Sequence, residues 1–113
     1  MTAIRLDGLA TAKAIKAELT ERVTHLKQKG ITPGLGTLLV GDDPGSHSYV
    51  ASKHRDSAEI GMHSIRVDLP ANASAADVRA AIKDFNDAKD VTGYILQLPL
   101  PFGLNTNEML ELI

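Results

Sequence analysis

The chain's 113 residues suffice for one domain, and the 43% that are hydrophobic supply a core. A net charge of −2 with no basic tail argues against nucleic acid or an acidic membrane as the main partner. The lack of cysteine excludes disulfides, thiolate zinc sites and a cysteine nucleophile, and His25, His47, His54 and His63 show no metal-ligand spacing.

The N-terminus has no apolar signal core, and no run approaches the roughly 20 apolar residues of a membrane span. A cytoplasmic protein is expected. Residues 8–29 read as an amphipathic helix, with Ala12, Ile15, Leu19, Val23 and Leu26 forming one apolar stripe. Asp7 is placed to cap its start, Gly30 and Pro33 punctuate its end, and Glu18 and Arg22 are ordered for an i,i+4 ion pair. Its charged face reads as solvated.

Leu35 to Val40 is a short, nearly all-apolar run that predicts a strand buried on both faces. After the turn Gly41-Asp42-Asp43-Pro44-Gly45, a helix capped by Ser46 is predicted to run to about Ile60, where Gly61 stops it. Met62 to Leu69 alternates Ile65, Val67 and Leu69 with polar residues, as a strand covered on one face or near an edge does. Pro70 to Ser74 is a loop, and Ser74-Ala75-Ala76-Asp77 resembles a capping box with a short acid. It opens a helix with Val78, Ala81, Ile82 and Phe85 inward. After the polar break Asn86–Asp90, Gly93 to Leu98 predicts a third strand, and Asn105 or Thr106 caps a last helix reaching Ile113.

Strands starting about 30 residues apart with helices between them predict an α/β fold with right-handed crossovers. The expected architecture is three-layer αβα with a mainly parallel sheet, a βαβαβ core preceded by a long helix. Ligands of such sheets bind beyond the carboxyl ends of the strands. Both unusual segments, Gly41–Gly45 and Gln97–Pro101, fall there, and they meet if the first and third strands are neighbours.

Tyr49 and Lys53 lie four residues apart, on one helix face. Each has an ordinary reading: a solvated lysine and a rim aromatic. Together they offer a ring that stacks and an amine that moves protons, once burial or a cationic neighbour disfavours its charged form. Gln97 stands inside an apolar run and needs hydrogen-bond partners, either backbone groups or Lys53. The acidic turn is explained by turn chemistry alone. A phosphate cradle would suffer from its two aspartates, and a metal site at Asp42 and Asp43 lacks further carboxylates.

Val40-Gly41-Asp42-Asp43-Pro44-Gly45-Ser46-x-x-Tyr49-Val50-x-x-Lys53 followed by Gly61 resembles the first signature of one folate enzyme family. That family is the bifunctional methylenetetrahydrofolate dehydrogenase/methenyltetrahydrofolate cyclohydrolase, the FolD type. Gly93-Tyr94-Ile95-Leu96-Gln97-Leu98-Pro99-Leu100-Pro101 resembles its second signature, and Asp7-Gly8 and Pro33-Gly34-Leu35 fit its N-terminal pattern. Two long motifs at the right separation, in a similarity spanning essentially the whole chain, make the resemblance specific.

The resemblance implies NADP-dependent oxidation of 5,10-methylenetetrahydrofolate and hydrolysis of the methenyl product to 10-formyltetrahydrofolate. It implies Tyr49 stacking on the p-aminobenzoyl ring, Lys53 as the acid/base and Gln97 tuning Lys53. The backbone around Leu96, Leu98 and Pro99 would help form the pterin pocket. The cationic methenyl substrate would itself disfavour the charged lysine.

Arg55 and Ser57 replace a second lysine and a cysteine common in the family, with no consequence for these roles. The family's Pro-x-Lys-Asp-Val-Asp-Gly stretch, its Rossmann-like NADP domain and its returning C-terminal helix have no counterpart before Ile113. The resemblance thus implies an incomplete catalytic domain over 1–113, with no NADP-binding residues in this chain and no metal. It also implies weak or absent activity for these residues alone, and a cytoplasmic homodimer for the full-length enzyme. The competing reading is a non-catalytic α/β folate-binding or assembly module, which has no need of a Lys53–Gln97 proton-transfer pair.

Overall fold

The computed structural model describes residues 2–113. Helix α1 spans Gly8–Gln28, β1 Gly34–Val40, α2 Pro44–Glu59, β2 His63–Leu69, α3 Ala75–Asp87, β3 Gly93–Leu96 and α4 Thr106–Leu110. The three strands form one open parallel sheet in the order β2-β1-β3. The α/β order and the parallel sheet agree with the expectation, and β1 and β3 are direct neighbours.

Local chemistry sets most boundaries. Asp7 caps α1 through the Ala10 amide at 3.0 Å, and Gly30, at φ 78°, takes the chain out of it. The capping box of α3 is complete, with Ser74 accepting from the Asp77 amide and Asp77 accepting from the Ser74 amide. Asn105 caps α4, which ends at Leu110 and not at Ile113. The cap of α2 departs from expectation: Asp43 accepts from the Ser46 amide at 2.8 Å, and Ser46 lies inside the helix. The aspartate sits ahead of Pro44, whose fixed φ suits the first helical turn, so its carboxylate reaches the third residue on.

Strand alternation divides β1 between two environments. Leu38 and Val40 point into a core with Val78, Ile82 and Phe85 of α3, Leu96 of β3 and Met109 of α4. Gly36 is on this face because a Cβ there would stand 2.6 Å from the Phe85 ring. Phe85 in turn stacks on Tyr94, with ring centroids 5.0 Å apart. Leu35, Thr37 and Leu39 point the other way, toward α2.

That second face is less fully covered. Of the α1 stripe only Val23 is buried, while Ile15 remains 50% exposed. Ile4, Leu6 and Leu9 are almost wholly exposed. The charged face of α1 is more than solvated, since Lys16 reaches α2 at Asp56 (2.9 Å) and Glu59 (2.7 Å). The predicted Glu18–Arg22 pair forms at 3.6 Å. The whole is a slab of 48 × 48 × 21 Å with a radius of gyration of 16.7 Å, against about 13 Å for a compact domain of this length.

Candidate functional site

The inner face of α2 is a stripe at three- and four-residue steps: Ser46, Val50, Lys53, Ser57 and Ile60. Its apolar members pack on the sheet, and Ser46 and Lys53 reach the segment that follows β3. The third strand stops at Leu96, two residues earlier than predicted. Gln97 still donates its backbone N–H to the Leu38 carbonyl at 2.9 Å, which holds it at the strand end. By alternation its side chain leaves on the α2 face, opposite to Leu96.

There Gln97 meets Lys53. The ammonium donates to Gln97 Oε1 at 2.7 Å, and the amide nitrogen donates to the Leu98 carbonyl at 3.1 Å. Ser46 Oγ donates to the same carbonyl at 3.2 Å. The Leu98 carbonyl only accepts and the ammonium only donates, which obliges the amide to turn its oxygen toward the lysine. Ser46, 2% exposed, is therefore part of the candidate site and not the helix cap that its position suggested. Its place on the α2 stripe, one turn before Val50, is the sequence signal for that role.

Tyr49 stands one turn from Lys53, with Nζ 5.5 Å from the ring centroid, inside the range of a cation–π contact. The ring is 65% exposed, so its open face is available for stacking. The nearest carboxylate along the helix is Asp56, and Lys16 occupies it. Hydrogen bonds to Asp56 and Glu59 raise the Lys16 pKa, and the same lysine lowers that of Asp56. Among the described residues Lys53 has no carboxylate partner, and its hydrogen bond goes to a neutral amide. This leaves the amine free to change charge without breaking an ion pair.

The other candidate residues divide by face. Leu98 is 40% exposed, and Pro99, joined to it by a cis peptide, borders a cleft. Leu96 is 4% exposed in the α3 core, so what it can offer the cleft is backbone. Beyond the strand ends, Gly41–Asp43, Ala71 and Pro99–Pro101 enclose a cleft of about 280 Å³. A larger apolar hollow of about 470 Å³ runs from Lys53 along Ser57, Ile60 and Ile95 to Ile15 and Leu19 of α1. Under α2, the buried Thr37 hydroxyl has no hydrogen-bond partner.

The acidic turn is occupied by its own structure. Asp43 caps α2, and the hydrogen bonds it accepts from Ser46 hold its pKa below the usual aspartate value. A carboxylate on the first-turn amide leaves no cradle for a dinucleotide phosphate there. No group of three or more His, Asp or Glu stands close enough to hold a metal ion among the described residues.

Comparison with known proteins bears on this arrangement. Residues 6–113 match the family described as tetrahydrofolate dehydrogenase/cyclohydrolase, catalytic domain. The bifunctional FolD methylenetetrahydrofolate dehydrogenase/cyclohydrolase of Campylobacter jejuni is 40% identical with a TM-score of 0.92, over 96% of this chain and 38% of that one. The Trypanosoma brucei enzyme, solved with NADP and an inhibitor, is 35% identical with a TM-score of 0.96, over 100% of this chain and 39% of that one. A 5,10-methylenetetrahydrofolate dehydrogenase from the silkworm Bombyx mori is 29% identical with a TM-score of 0.94, over 99% of this chain and 39% of that one. The chain thus spans about two fifths of the length of these structures.

Proposed function

The chain belongs to the tetrahydrofolate dehydrogenase/cyclohydrolase family, in its catalytic domain, and from that premise we propose that Lys53 is the proton-transfer group of a methenyltetrahydrofolate cyclohydrolase site. The observation that carries the reading is the 2.7 Å Lys53–Gln97 hydrogen bond, made where no carboxylate fixes the lysine's charge.

The substrate is a cation at its methenyl carbon, bound with its p-aminobenzoyl ring on the exposed face of Tyr49. A positive carbon beside Nζ favours the neutral amine. Water adds to that carbon, its oxygen forming the new bond while Lys53 takes one of its protons. Collapse of the adduct breaks the bond between N5 and the former methenyl carbon, and the proton goes to N5. The product is 10-formyltetrahydrofolate, and one proton is released overall. Gln97 Oε1 accepts an N–H in either charge state of the lysine, so it fixes Nζ throughout the cycle. The backbone at Leu96, Leu98 and Pro99 borders the pterin.

The dehydrogenase half of the proposed activity, oxidation of 5,10-methylenetetrahydrofolate, uses NADP as hydride acceptor. The described residues do not fit that cofactor, because Asp43 already occupies the βα turn that would face a phosphate. We assign the binding of NADP to residues outside 1–113 and place the enzyme in the cytoplasm as a homodimer. No described helix is long and apolar enough to cross a membrane.

The test is Lys53→Met in the intact enzyme. Methenyl hydrolysis should fall by about 10²–10⁴-fold, the usual contribution of a positioned acid/base. The circular dichroism spectrum and melting temperature should stay those of the parent. Hydrolysis retained within tenfold, on an order-of-magnitude scale, would refute the role. A non-catalytic folate-binding module is the alternative, and an unmodified intact protein that binds folate without hydrolysing it would establish that reading instead.

A further inference from the structure

A second hydrogen-bond chain approaches the cleft from β2. Arg66 grips Asp68 with two bonds, Nε to Oδ1 at 2.8 Å and Nη2 to Oδ2 at 2.9 Å. The same Nη2 lies 3.3 Å from His47 Nδ1, and His47 Nε2 lies 3.1 Å from the Gly41 carbonyl oxygen. The proton inventory of these groups decides the state of the ring. A guanidinium has only donors and a carbonyl oxygen only accepts. Both contacts are satisfied together only when Nδ1 is bare and Nε2 carries the hydrogen.

Gly41 is where this chain of bonds ends, and it forms part of the cleft wall. Its φ of 97° is in the left-handed region, and a Cβ there would stand 3.1 Å from Pro101 Cγ. Its amide donates to the Leu69 carbonyl at 2.9 Å. With its carbonyl bound to His47, both ends of the residue are tied to β2, directly at one end and through His47 and Arg66 at the other. The turn is thereby set against the Pro99–Pro101 segment across the 280 Å³ cleft.

We propose that His47 is a positioning residue of the folate site, locked as the neutral Nε2–H tautomer between Arg66 and the Gly41 carbonyl. This role rests on the folate-site reading, whereas the tautomer follows from the hydrogen bonds alone. Protonation of Nδ1 turns the acceptor into a donor facing a guanidinium, so the Arg66 contact is lost and two cations stand together. The other charged groups around the ring are Asp68 on β2, Asp43 at the head of α2 and Asp42 in the turn. The segment from Gln97 to Pro101 adds no titratable side chain. The Nε2–H still donates to the Gly41 carbonyl, so what the turn loses is its second tie to β2, through Arg66. Acidification therefore weakens folate binding through His47.

Two measurements on the intact protein decide the proposal. Long-range proton–nitrogen NMR spectra of histidine-labelled protein should show His47 as a pure Nε2–H tautomer, and Arg66→Met should shift the Nδ1 resonance, which loses its donor, while the hydrogen stays on Nε2. An Nδ1–H ring, or an Nδ1 resonance unmoved by Arg66→Met, overturns the lock. Tetrahydrofolate affinity is then compared at about pH 7.5 and about pH 5.5. His47→Gln keeps a donor for Gly41 but cannot titrate. The parent should lose about three- to tenfold more affinity than this variant across the span, the worth of one hydrogen bond. Equal losses overturn the positioning role. A parent that binds no tetrahydrofolate at either pH sinks the folate-site reading and the role with it, while the spectra still decide the tautomer.

Discussion

The two faces of the sheet are built from alternate residues of the same strands, and they serve different ends. Toward α3 the side chains are Leu38, Val40 and Leu96 against Val78, Ile82 and Phe85, each at most 5% exposed. Even the tyrosine on this side, Tyr94, stacks on Phe85 and donates its hydroxyl to Asn86 at 2.7 Å. Toward α2 the same β1 offers Thr37, and the neighbouring elements add Ser46, Ser57, Lys53 and Gln97. One face excludes water and fixes the fold. The other admits polar groups, among which Ser46, Lys53 and Gln97 form the hydrogen bonds of the candidate site. Alternation along one strand thus separates the packed core from the candidate site over a distance of one residue.

That division can be broken most forcefully from the α3 side. Phe85→Ala removes the ring that fills the space above Gly36 and should cost about 3–5 kcal/mol in urea unfolding. A loss below about 1 kcal/mol would mean that the α3 face does not carry the fold as described. Lys53→Met is the counterpart on the other face, with a large loss of turnover and little change in stability. A variant pair that moved both quantities together would erase the distinction.

A smaller effect, of opposite sign, is expected beneath α2. Thr37→Val replaces a buried hydroxyl without a partner by a methyl group of the same shape, which should leave stability unchanged or raise it by about 1 kcal/mol. Destabilisation would show that the hydroxyl is satisfied in solution. The smallest effect concerns the acid limb of stability. The Ser74 hydrogen bonds hold the Asp77 carboxyl below the usual aspartate value, so the unfolded chain takes up its proton first. The contribution is thus present above the unfolded-state pKa and lost as pH falls through the lower, folded-state one. Asp77→Ala should narrow its stability gap to the parent as pH drops through that window, and a gap independent of pH would exclude the capping box as its source.

Much of the site can be read from residue spacing. Tyr49 and Lys53 follow from the helical period, and Gln97 stands out as a polar residue in an apolar run. What escapes such a reading are the roles of Ser46, His47 and Lys16, whose partners are distant. Ser46 reads as a cap because serine before a helix is normally one, and only the nearness of Leu98 reveals where its hydroxyl goes. His47 has no metal spacing and so carries no message, until Arg66, 19 residues away, is placed beside it. Lys16 reads as one more solvated charge of α1, yet it removes Asp56 from the vicinity of Lys53.

The elements, their order and the parallel sheet follow from the amino-acid pattern, because periodicity, caps and turn residues are local and act within a few positions. The family follows as well, through two motifs long enough to be specific. Three-dimensional packing was needed to establish that β1 and β3 are neighbours, which of Gln97's amide atoms faces Lys53, and which tautomer His47 adopts. Those outcomes depend on which donors meet which acceptors across the sheet edge. A hydrogen bond is directional and short-ranged, and no spacing along the chain encodes it.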